Sequence, residues 1–269
     1  MSTLYQEKII TCGGWTEVDV YPVLPPQKGR GKKAKPTSQV QKELNERYAK
    51  KRIGYLVNTN FTEDDIRLDL TYDSEHLPQS PEDAQHQVQL FIRRLINYCR
   101  KRGLPERKYI YVTEVGSKSG RVHHHIITNG DVSAKTLAAI WGKGYTTVKP
   151  LQFDKEYGCT ALAEYMTKKP ILGRRWNCSK NLRQPEIRTR QIAKAKAVDW
   201  RQRGFDARAD IEARYGLKCA DVKPFFNGEN GGSYIAISMY DPDAIASGSS
   251  RKKREGGHVP KNKKSGRAH

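Results

Sequence analysis

The period of the apolar residues changes along the chain. Residues 65–73 alternate between apolar and polar side chains, and the apolar positions are Ile66, Leu68, Leu70 and Tyr72. This period of two is typical of a half-buried strand. Residues 80–103 place apolar side chains at helical spacing after Ser80, a favourable N-cap, and close on Gly103. The pattern therefore predicts a strand followed by a helix that packs against the sheet.

The same two periods continue through the next part of the chain. The further elements are predicted at 108–116 (strand), 121–129 (strand), 131–142 (helix), 144–151 (strand) and about 155–169 (helix). The order strand-helix-strand-strand-helix-strand plus a helix predicts an α+β fold of the ferredoxin-like, RRM-like type. Its antiparallel sheet should carry helices on one face and leave the other face free for a ligand.

Composition divides the chain into four segments. The predicted divisions are a basic N-terminal extension at 1–60, the α+β core at 61–175, a C-terminal extension packed on the core at 176–246 and a disordered basic tail at 247–269. In the N-terminal extension, Pro, Gly and Lys at 25–36 predict a flexible linker, and residues 37–52 predict a polar helix. In the C-terminal extension, a helix near 191–204 and a strand at 231–240 are predicted.

The net charge indicates a polyanionic partner. The chain has 49 Lys and Arg against 29 Asp and Glu, a net charge of +20. The last twenty residues hold eight basic side chains and one Glu, or +7, which leaves +13 in residues 1–249. A basic body as well as a basic tail favours nucleic acid as the partner. A merely solubilising surface charge is the alternative.

Other features of the composition exclude several classes of protein. No run approaches the ~18 apolar residues of a membrane span, and the N-terminus lacks the basic-then-apolar order of a secretory signal. The five cysteines are scattered and none forms a C-x-x-C pair, so neither a disulfide framework nor a zinc knuckle is expected. These features predict a soluble protein of a reducing compartment, the cytoplasm.

Three consecutive histidines occupy the second strand of the predicted hairpin, at 123–125. Because side chains alternate along a strand, His123 and His125 point to one face and His124 to the other. Two imidazoles one pleat apart can chelate one ion, although an H-x-H pair also occurs by chance on sheet surfaces. If Glu114 lies opposite His123, its carboxylate adds a third ligand, whereas a slip of one residue sends it to the other face. Two histidines and one carboxylate suit Mg²⁺ or Mn²⁺ as well as Zn²⁺.

The last predicted helix brings a phenol and an ammonium onto one face. Tyr165 and Lys168 are three residues apart, so both side chains can meet at one phosphate. Lysine there can activate the phenol as a nucleophile or neutralise the phosphate oxygens, and Lys169 is a rival for this role. Alternatively, Tyr165 is only part of the packing surface of the helix.

These motifs together resemble those of the HUH endonucleases, in which two histidines flank one residue on a central strand and a Y-x-x-K helix follows. DLTYD at 69–73 resembles the first motif, RVHHHII the second and EYMTKK the third. His124 stands where the family usually has a hydrophobic residue. The nine-residue spacing from Glu114 to His123, with a glycine turn between them, resembles that of viral replication initiators with an acidic third ligand. WNCSKNLRQP at 176–185 resembles a segment of the filamentous-phage gene II-like branch, which contains phage and plasmid rolling-circle initiators (Rep).

The resemblance implies a single-tyrosine endonuclease that initiates rolling-circle replication. It implies His123, His125 and Glu114 as ligands of Mg²⁺ or Mn²⁺, with Tyr165 as nucleophile and Lys168 as its partner. The tyrosine would nick one strand of origin DNA, form a 5′-phosphotyrosine link and a free 3′-OH, and later rejoin the strand. Basic residues near the motifs are expected to contact single-stranded or supercoiled DNA: Arg121, Lys169, Arg174 and Arg175.

The same resemblance bears on partners and alternatives. No P-loop is present in the sequence, so no nucleotide cofactor is expected. The protein would borrow a host helicase and polymerase in a bacterial cytoplasm, with no membrane partner.

A plasmid-mobilisation relaxase and a single-tyrosine transposase share this chemistry. A non-catalytic RRM-like nucleic-acid-binding protein is the alternative of another class. Tyr72 and Trp141 are candidate base-stacking residues, with core packing the other interpretation for Trp141.

Overall fold

The computed structural model of the protein describes residues 4–23, 39–116, 120–166, 176–227 and 232–247. The strands are β1 Tyr5–Cys12, β2 Trp15–Pro22, β3 Ile66–Thr71, β4 Tyr109–Val115, β5 Val122–Thr128, β6 Thr146–Pro150, β7 Asn177–Cys178, β8 Glu186–Ile192, β9 Lys218–Asn227 and β10 Gly232–Tyr240. The helices are α1 Gln39–Asn60, α2 Pro81–Lys101, α3 Ala134–Trp141, α4 Thr160–Met166, α5 Lys194–Arg203, α6 Arg208–Tyr215 and α7 Pro242–Ala246, with a 3-10 turn at Gly204–Ala207. Within these described ranges, no helix combines the length and apolar character needed to cross a bilayer.

The strands form two antiparallel sheets of five strands each. The core sheet has the order β6-β3-β5-β4-β7, and the flanking sheet has the order β8-β1-β2-β10-β9. Along the chain, the core sheet and its helices follow the order β3-α2-β4-β5-α3-β6-α4. This order confirms the predicted α+β fold, with β3 and β5 side by side at the centre of the sheet.

Local sequence explains where the helices of the core begin and end. The Ser80 hydroxyl accepts from the N–H of Asp83 at 3.1 Å, and Pro81 occupies the first turn of α2. Ser133 caps α3 in the same way, with its hydroxyl accepting from the N–H of Thr136 at 3.3 Å. Gly142 ends α3 in the left-handed conformation, at φ +58°.

One face of the core sheet packs against α2 and α3. The cluster on this face includes Leu68, Leu70, Tyr72, Val88, Phe91, Leu95, Tyr111, Ile126 and Trp141. It contains every apolar side chain that the alternation of 65–73 placed inward. Tyr72 and Trp141 are only 2% and 1% exposed. Both rings therefore serve core packing, and the prediction that either stacks on a DNA base is wrong.

The opposite face of the core sheet is partly covered, which corrects the expectation that it is free. Helices α1 and α4 pack over its apolar end, in a cluster that includes Ile53, Leu56, Val57, Ile110, Val112, Ile127 and Met166. Helix α1 continues to Asn60, beyond the predicted end at 52, because its C-terminal half buries apolar side chains against the sheet. The end of this face that carries polar side chains of β3, β4 and β5 is partly accessible: 5% of the His125 side chain and 20% of the His123 and Arg67 side chains are exposed.

The flanking sheet combines strands from before and after the core sheet in the sequence. Within the segment predicted as a basic N-terminal extension, residues 5–22 form the β1–β2 hairpin, an element that was not predicted. Strand β1 pairs with β8 and β2 pairs with β10, so distant parts of the chain share one sheet. The predicted helix near 191–204 and the predicted strand at 231–240 are confirmed as α5 and β10. The domain divisions themselves stay a prediction.

Candidate active site

Strand register brings the predicted ligands together at the accessible end of the core sheet. Strands β4 and β5 pair so that Glu114 lies directly opposite His123, which is the register that a shared face requires. Alternate residues of a strand share a face, so His125 projects on the same side as His123. Three side chains from two neighbouring strands therefore point into one space.

The potential ligand atoms of these three side chains lie close together. His123 Nε2 and His125 Nε2 lie 2.8 Å and 3.0 Å from Glu114 Oε1. The two imidazole rings are 4.8 Å apart between centroids and nearly perpendicular, at 84°. Among the residues that the structure describes, this is the one group of three or more His, Cys, Asp or Glu with spacing suited to an ion, its ligand atoms all within 4.8 Å of one another. The arrangement can accept a divalent cation between two nitrogens and an oxygen.

Contacts within the cluster shift the pKa values of Glu114 and His125. Burial opposes ionisation of Glu114, but hydrogen bonds from His123 and His125 outweigh it and lower the pKa of the carboxyl to about 2. Burial likewise disfavours the charged form of His125, yet Asp69 and Glu114 raise its pKa above the ordinary value. Both nitrogens of His125 face carboxylates, Asp69 at Nδ1 and Glu114 at Nε2, and a neutral imidazole has only one N–H to donate. These two contacts therefore call for positive charge at His125, which imidazolium or a metal ion at Nε2 supplies.

Two residues of β3 that were not identified from the sequence complete the cluster. Asp69 lies opposite His125 in the β3–β5 ladder, with its Oδ1 2.6 Å from His125 Nδ1. Arg67 donates to both oxygens of Asp69, from Nε to Oδ1 at 3.0 Å and from Nη2 to Oδ2 at 2.6 Å. Burial would raise the pKa of Asp69, but His125 and Arg67 lower it to about 2. An ionised carboxylate on Nδ1 fixes the His125 ring and directs its Nε2 into the site.

Tyr165 lies beside this cluster. Helix α4 is anchored by Met166, which is buried against α1 and the sheet, while Tyr165 is 45% exposed. The Tyr165 ring lies 5.9 Å from the His125 ring between centroids, at an interplanar angle of 62°. The guanidinium carbon of Arg67 lies 5.6 Å from the centre of the same ring. A solvent-accessible phenol thus adjoins both a histidine of the cluster and a fixed cation.

His124 points to the other face, as the alternation of side chains predicts. It is fully buried, with Nε2 2.8 Å from the Tyr72 hydroxyl and Nδ1 2.8 Å from the Thr113 hydroxyl. A neutral imidazole satisfies both contacts, because one nitrogen donates and the other accepts. Burial lowers the pKa of His124 to about 3, and the charges of His123 and His125 add to this effect. A polar side chain fits at this position because two hydroxyls satisfy both of its nitrogens.

Of the other predicted site residues, the structure describes only Arg121. Arg121 is exposed directly before β5, and its carbonyl oxygen lies 3.4 Å from His123 Nδ1. The Arg121 carbonyl thus lies near Nδ1 of His123, the nitrogen that points away from Glu114. Asp69 occupies the corresponding position at Nδ1 of His125. The remaining four positions lie outside the described residues: Lys168, Lys169, Arg174 and Arg175.

Comparison with known proteins identifies the segment that holds this cluster. Residues 65–170 match the family model described as replication-associated protein ORF2/gene II protein. The match begins just before β3 and ends after α4, so it contains the histidines, both carboxylates and the exposed tyrosine. It confirms the resemblance to phage and plasmid replication proteins of the gene II-like kind. No curated protein and no solved structure matches the chain.

Proposed function

We propose that this chain, which matches the replication-associated family of ORF2 and gene II proteins over residues 65–170, is a metal-dependent DNA nickase that initiates rolling-circle replication. The observation that carries the proposal is the contact of the Tyr165 ring with His125, one of three side chains that converge on a single space. The family supports a replication-associated, DNA-binding protein. The cluster adds the groups that transfer of a phosphodiester needs: a nucleophile, an ion-binding set and a nearby cation.

The donor set fits a divalent cation. Glu114 is ionised, and both histidines direct Nε2 towards its Oε1. Each histidine has an oxygen acceptor near Nδ1, namely the Arg121 carbonyl for His123 and Asp69 for His125. Such outer partners fix the tautomer and orientation of metal-binding histidines. Mg²⁺ or Mn²⁺ held by these three residues would polarise a scissile phosphate and stabilise the negative charge that develops on it.

Tyr165 is the proposed nucleophile. Its Oη attacks the phosphorus of the scissile phosphodiester, the P–O3′ bond breaks, and a 5′-phosphotyrosine and a free 3′-OH remain. The phenolic proton leaves to solvent, which reaches the 45% exposed side chain, and the departing 3′ oxygen takes up a proton. Because the new bond is again a phosphodiester, a later 3′-OH can reverse the step and rejoin the strand. Lys168 is the proposed partner of the phenol, with Lys169 as the alternative.

Several basic positions are proposed to hold the DNA strand: Arg121, Lys169, Arg174 and Arg175. The excess of positive charge over the whole chain, +20, would add sequence-independent binding to phosphates. The substrate is proposed to be single-stranded or supercoiled origin DNA of a phage or plasmid in a bacterial cytoplasm. A host helicase and polymerase would extend from the free 3′-OH, and the nicking step itself needs no nucleotide cofactor.

A plasmid-mobilisation relaxase or a single-tyrosine transposase would use the same residues, and the substrate distinguishes them from an initiator. A non-catalytic RRM-like binding protein is the alternative of a different class. The accessible end of the core sheet argues for the nickase, because charged groups and histidines occupy it. An RRM-like binder would present stacking aromatics at the centre of its sheet, whereas here the central strands present Glu114, His123 and His125.

The decisive experiment detects a covalent adduct. The full chain is incubated with single-stranded DNA and Mn²⁺, and peptides are examined by mass spectrometry for a DNA-linked Tyr165. Tyr165→Phe should bind DNA and form no adduct. The matched control is Tyr157→Phe, which alters another exposed tyrosine, 40% accessible, just before α4. This control should form the adduct normally, and EDTA should abolish it.

The contrary outcomes are distinct. Binding without any adduct in the unaltered chain would favour the RRM-like binding protein. Adduct formation that survives complete removal of divalent metal would contradict the ligand assignment of Glu114, His123 and His125, while leaving the tyrosine assignment intact.

A further inference from the structure

The accessible face of the core sheet continues past the cluster to the edge strand β6. Strand β3 lies between β5 and β6, and Thr71 at its end is opposite His123. The β3–β6 register pairs Leu70 with Thr146, so the preceding residue, Tyr145, falls opposite Thr71. His123, Thr71 and Tyr145 therefore form one row across three neighbouring strands, on one face of the sheet.

Burial along β6 agrees with this orientation. Val148 packs against the core formed by α2 and α3. The alternate positions Thr147 and Lys149 are exposed on the other face. Tyr145 is 75% exposed, the highest value among the large hydrophobic side chains that the structure describes. The edge of the site thus carries an aromatic ring and a lysine on the same side as the histidines.

The backbone beneath this ring is fixed. Thr71 donates its N–H and its hydroxyl to the carbonyl of Tyr145, at 2.9 Å and 3.3 Å. Gly144 has φ +141°, and a Cβ at this position would lie 2.5 Å from the Thr71 carbonyl oxygen. Only glycine permits so close an approach with that φ. Tyr145 is therefore presented to solvent from a strand end that is clamped to β3, which reduces the entropy lost when a ligand covers the ring.

We propose that Tyr145 is the stacking platform for one unpaired base of single-stranded DNA that flanks the scissile phosphate. Two interstrand steps separate His123 from Tyr145, roughly 10 Å in all. Single-stranded DNA spans this distance with about three stacked nucleotides at about 3.4 Å each. Lys149, exposed on the same face, adds positive charge beside the path of the strand. This subsite rests on the proposed function for its position relative to the cut, but the binding it predicts does not require cleavage.

Single-stranded DNA is the occupant that this surface fits. A base offers its flat face to an aromatic ring only when it is unpaired, and stacking of this kind tolerates any base. The positive charge of the chain complements the backbone of the strand. A duplex would present its phosphates to the ring and gain nothing from it.

The test measures binding in the absence of cleavage. Affinity for a fluorescent oligodeoxythymidylate of about 20 nucleotides is determined at several salt concentrations in the full chain carrying Tyr165→Phe. In this background, Tyr145→Ala should weaken binding about 5- to 150-fold. Tyr145→Phe and Tyr145→Trp should retain it, since both keep a ring. The slope of log affinity against log salt should not change in Tyr145→Ala, because no phosphate contact is lost.

The matched control is Phe225→Ala, which removes another ring, 61% exposed, from strand β9 of the flanking sheet. It should leave the affinity unchanged. Unchanged affinity in Tyr145→Ala, a loss shared by Tyr145→Phe, or an equal loss in Phe225→Ala would each overturn the proposal. Failure of the proposed function can be distinguished from failure of this proposal. In that case the unaltered chain would form no Tyr165 adduct, while its binding of DNA would still depend on Tyr145.

Discussion

The carboxylate of Asp69 lies 2.6 Å from Nδ1 of His125, across the β3–β5 ladder that pairs the two residues directly. This contact leaves Nε2 of His125 directed at Glu114, 3.0 Å away. The orientation of an imidazole in the candidate metal site is thus determined by a residue of a strand that supplies none of the three proposed ligands.

Replacing Asp69 should therefore weaken metal binding without removing a ligand. We expect Asp69→Asn to reduce the affinity for Mn²⁺ about 10- to 100-fold, since a neutral amide holds the ring less firmly and no longer makes it more basic. Isothermal titration calorimetry of the full chain measures this. The control is Asp73→Asn, an exposed carboxylate just after β3 that contacts His76 instead. Equal affinities for the unaltered chain and Asp69→Asn would show that Asp69 does not position His125.

Arg67 links Asp69 to the proposed nucleophile, because its guanidinium binds the carboxylate and lies over the Tyr165 ring. We expect Arg67→Gln to slow adduct formation about tenfold or more at saturating Mn²⁺ in single-turnover measurements. Arg67→Lys should recover only part of the rate, since an ammonium lacks the planar fork that engages both oxygens.

Another arginine placed over a tyrosine ring is the control for Arg67. The guanidinium carbon of Arg102 lies 3.8 Å from the centre of the Tyr98 ring, at the end of α2. Arg102→Gln should leave the rate of adduct formation unaltered. An unaltered rate in Arg67→Gln as well would mean that Arg67 serves only packing.

The buried His124 predicts an unusual pattern of stability changes. His124→Leu replaces the imidazole with an apolar side chain and leaves the hydroxyls of Tyr72 and Thr113 without their partner. We expect the free energy of unfolding in urea to fall by about 1–3 kcal/mol. Adding Tyr72→Phe and Thr113→Val should recover most of this loss, because all three polar groups are then removed together. A triple variant no more stable than His124→Leu alone would contradict this explanation.

The same residue predicts a loss of stability in acid. The ordinary pKa of histidine is 6.5, and burial lowers that of His124 to about 3, so in this range the unfolded chain binds a proton that the folded chain does not. The contribution of His124 is therefore fully present above pH 6.5 and falls by about 1.4 kcal/mol per pH unit as the pH decreases towards 3.

A difference measurement isolates this titration from that of the cluster. The free energy of unfolding of the unaltered chain minus that of the triple variant should decrease with that slope, since Asp69 and Glu114 titrate in both. A difference that stays constant with pH would show that His124 is protonated in the folded protein or neutral in both states.

Much of the core sheet and of its cluster could be predicted because both depend on the period of the side chains. Alternation along β5 separates His124 from its two neighbours, and one hairpin register then brings Glu114 to them. The same alternation that places Ile66 and Leu68 in the core also places Arg67 and Asp69 on the histidine face. The polar positions of β3 therefore carry the signal for these two residues, because they alternate with the apolar ones.

Other features depend on contacts that leave little local signal. Strand β1 pairs with β8, more than a hundred residues away, and the register is fixed by the packed sheet rather than by a turn. Gly13 and Gly14 between two alternating runs do signal a hairpin, but the basic linker that follows favours an extension. Helix α1 covers part of the core sheet because of tertiary packing, which the polar composition of its first half does not predict.

The proposed metal site can finally be tested by a measurement that does not involve DNA. A ligand that binds only the folded state stabilises it by about 2.7 kcal/mol when its concentration is 100-fold above Kd. We expect Mn²⁺ to raise the midpoint of thermal unfolding of the full chain, and EDTA to reverse the rise. His125→Ala and Glu114→Gln should each reduce the rise, since each removes a donor atom from the cluster. The control is His76→Ala, because His76 is an accessible histidine that contacts Asp73 and lies outside the cluster. A rise that persists in His125→Ala and disappears in His76→Ala would move the metal away from the core sheet.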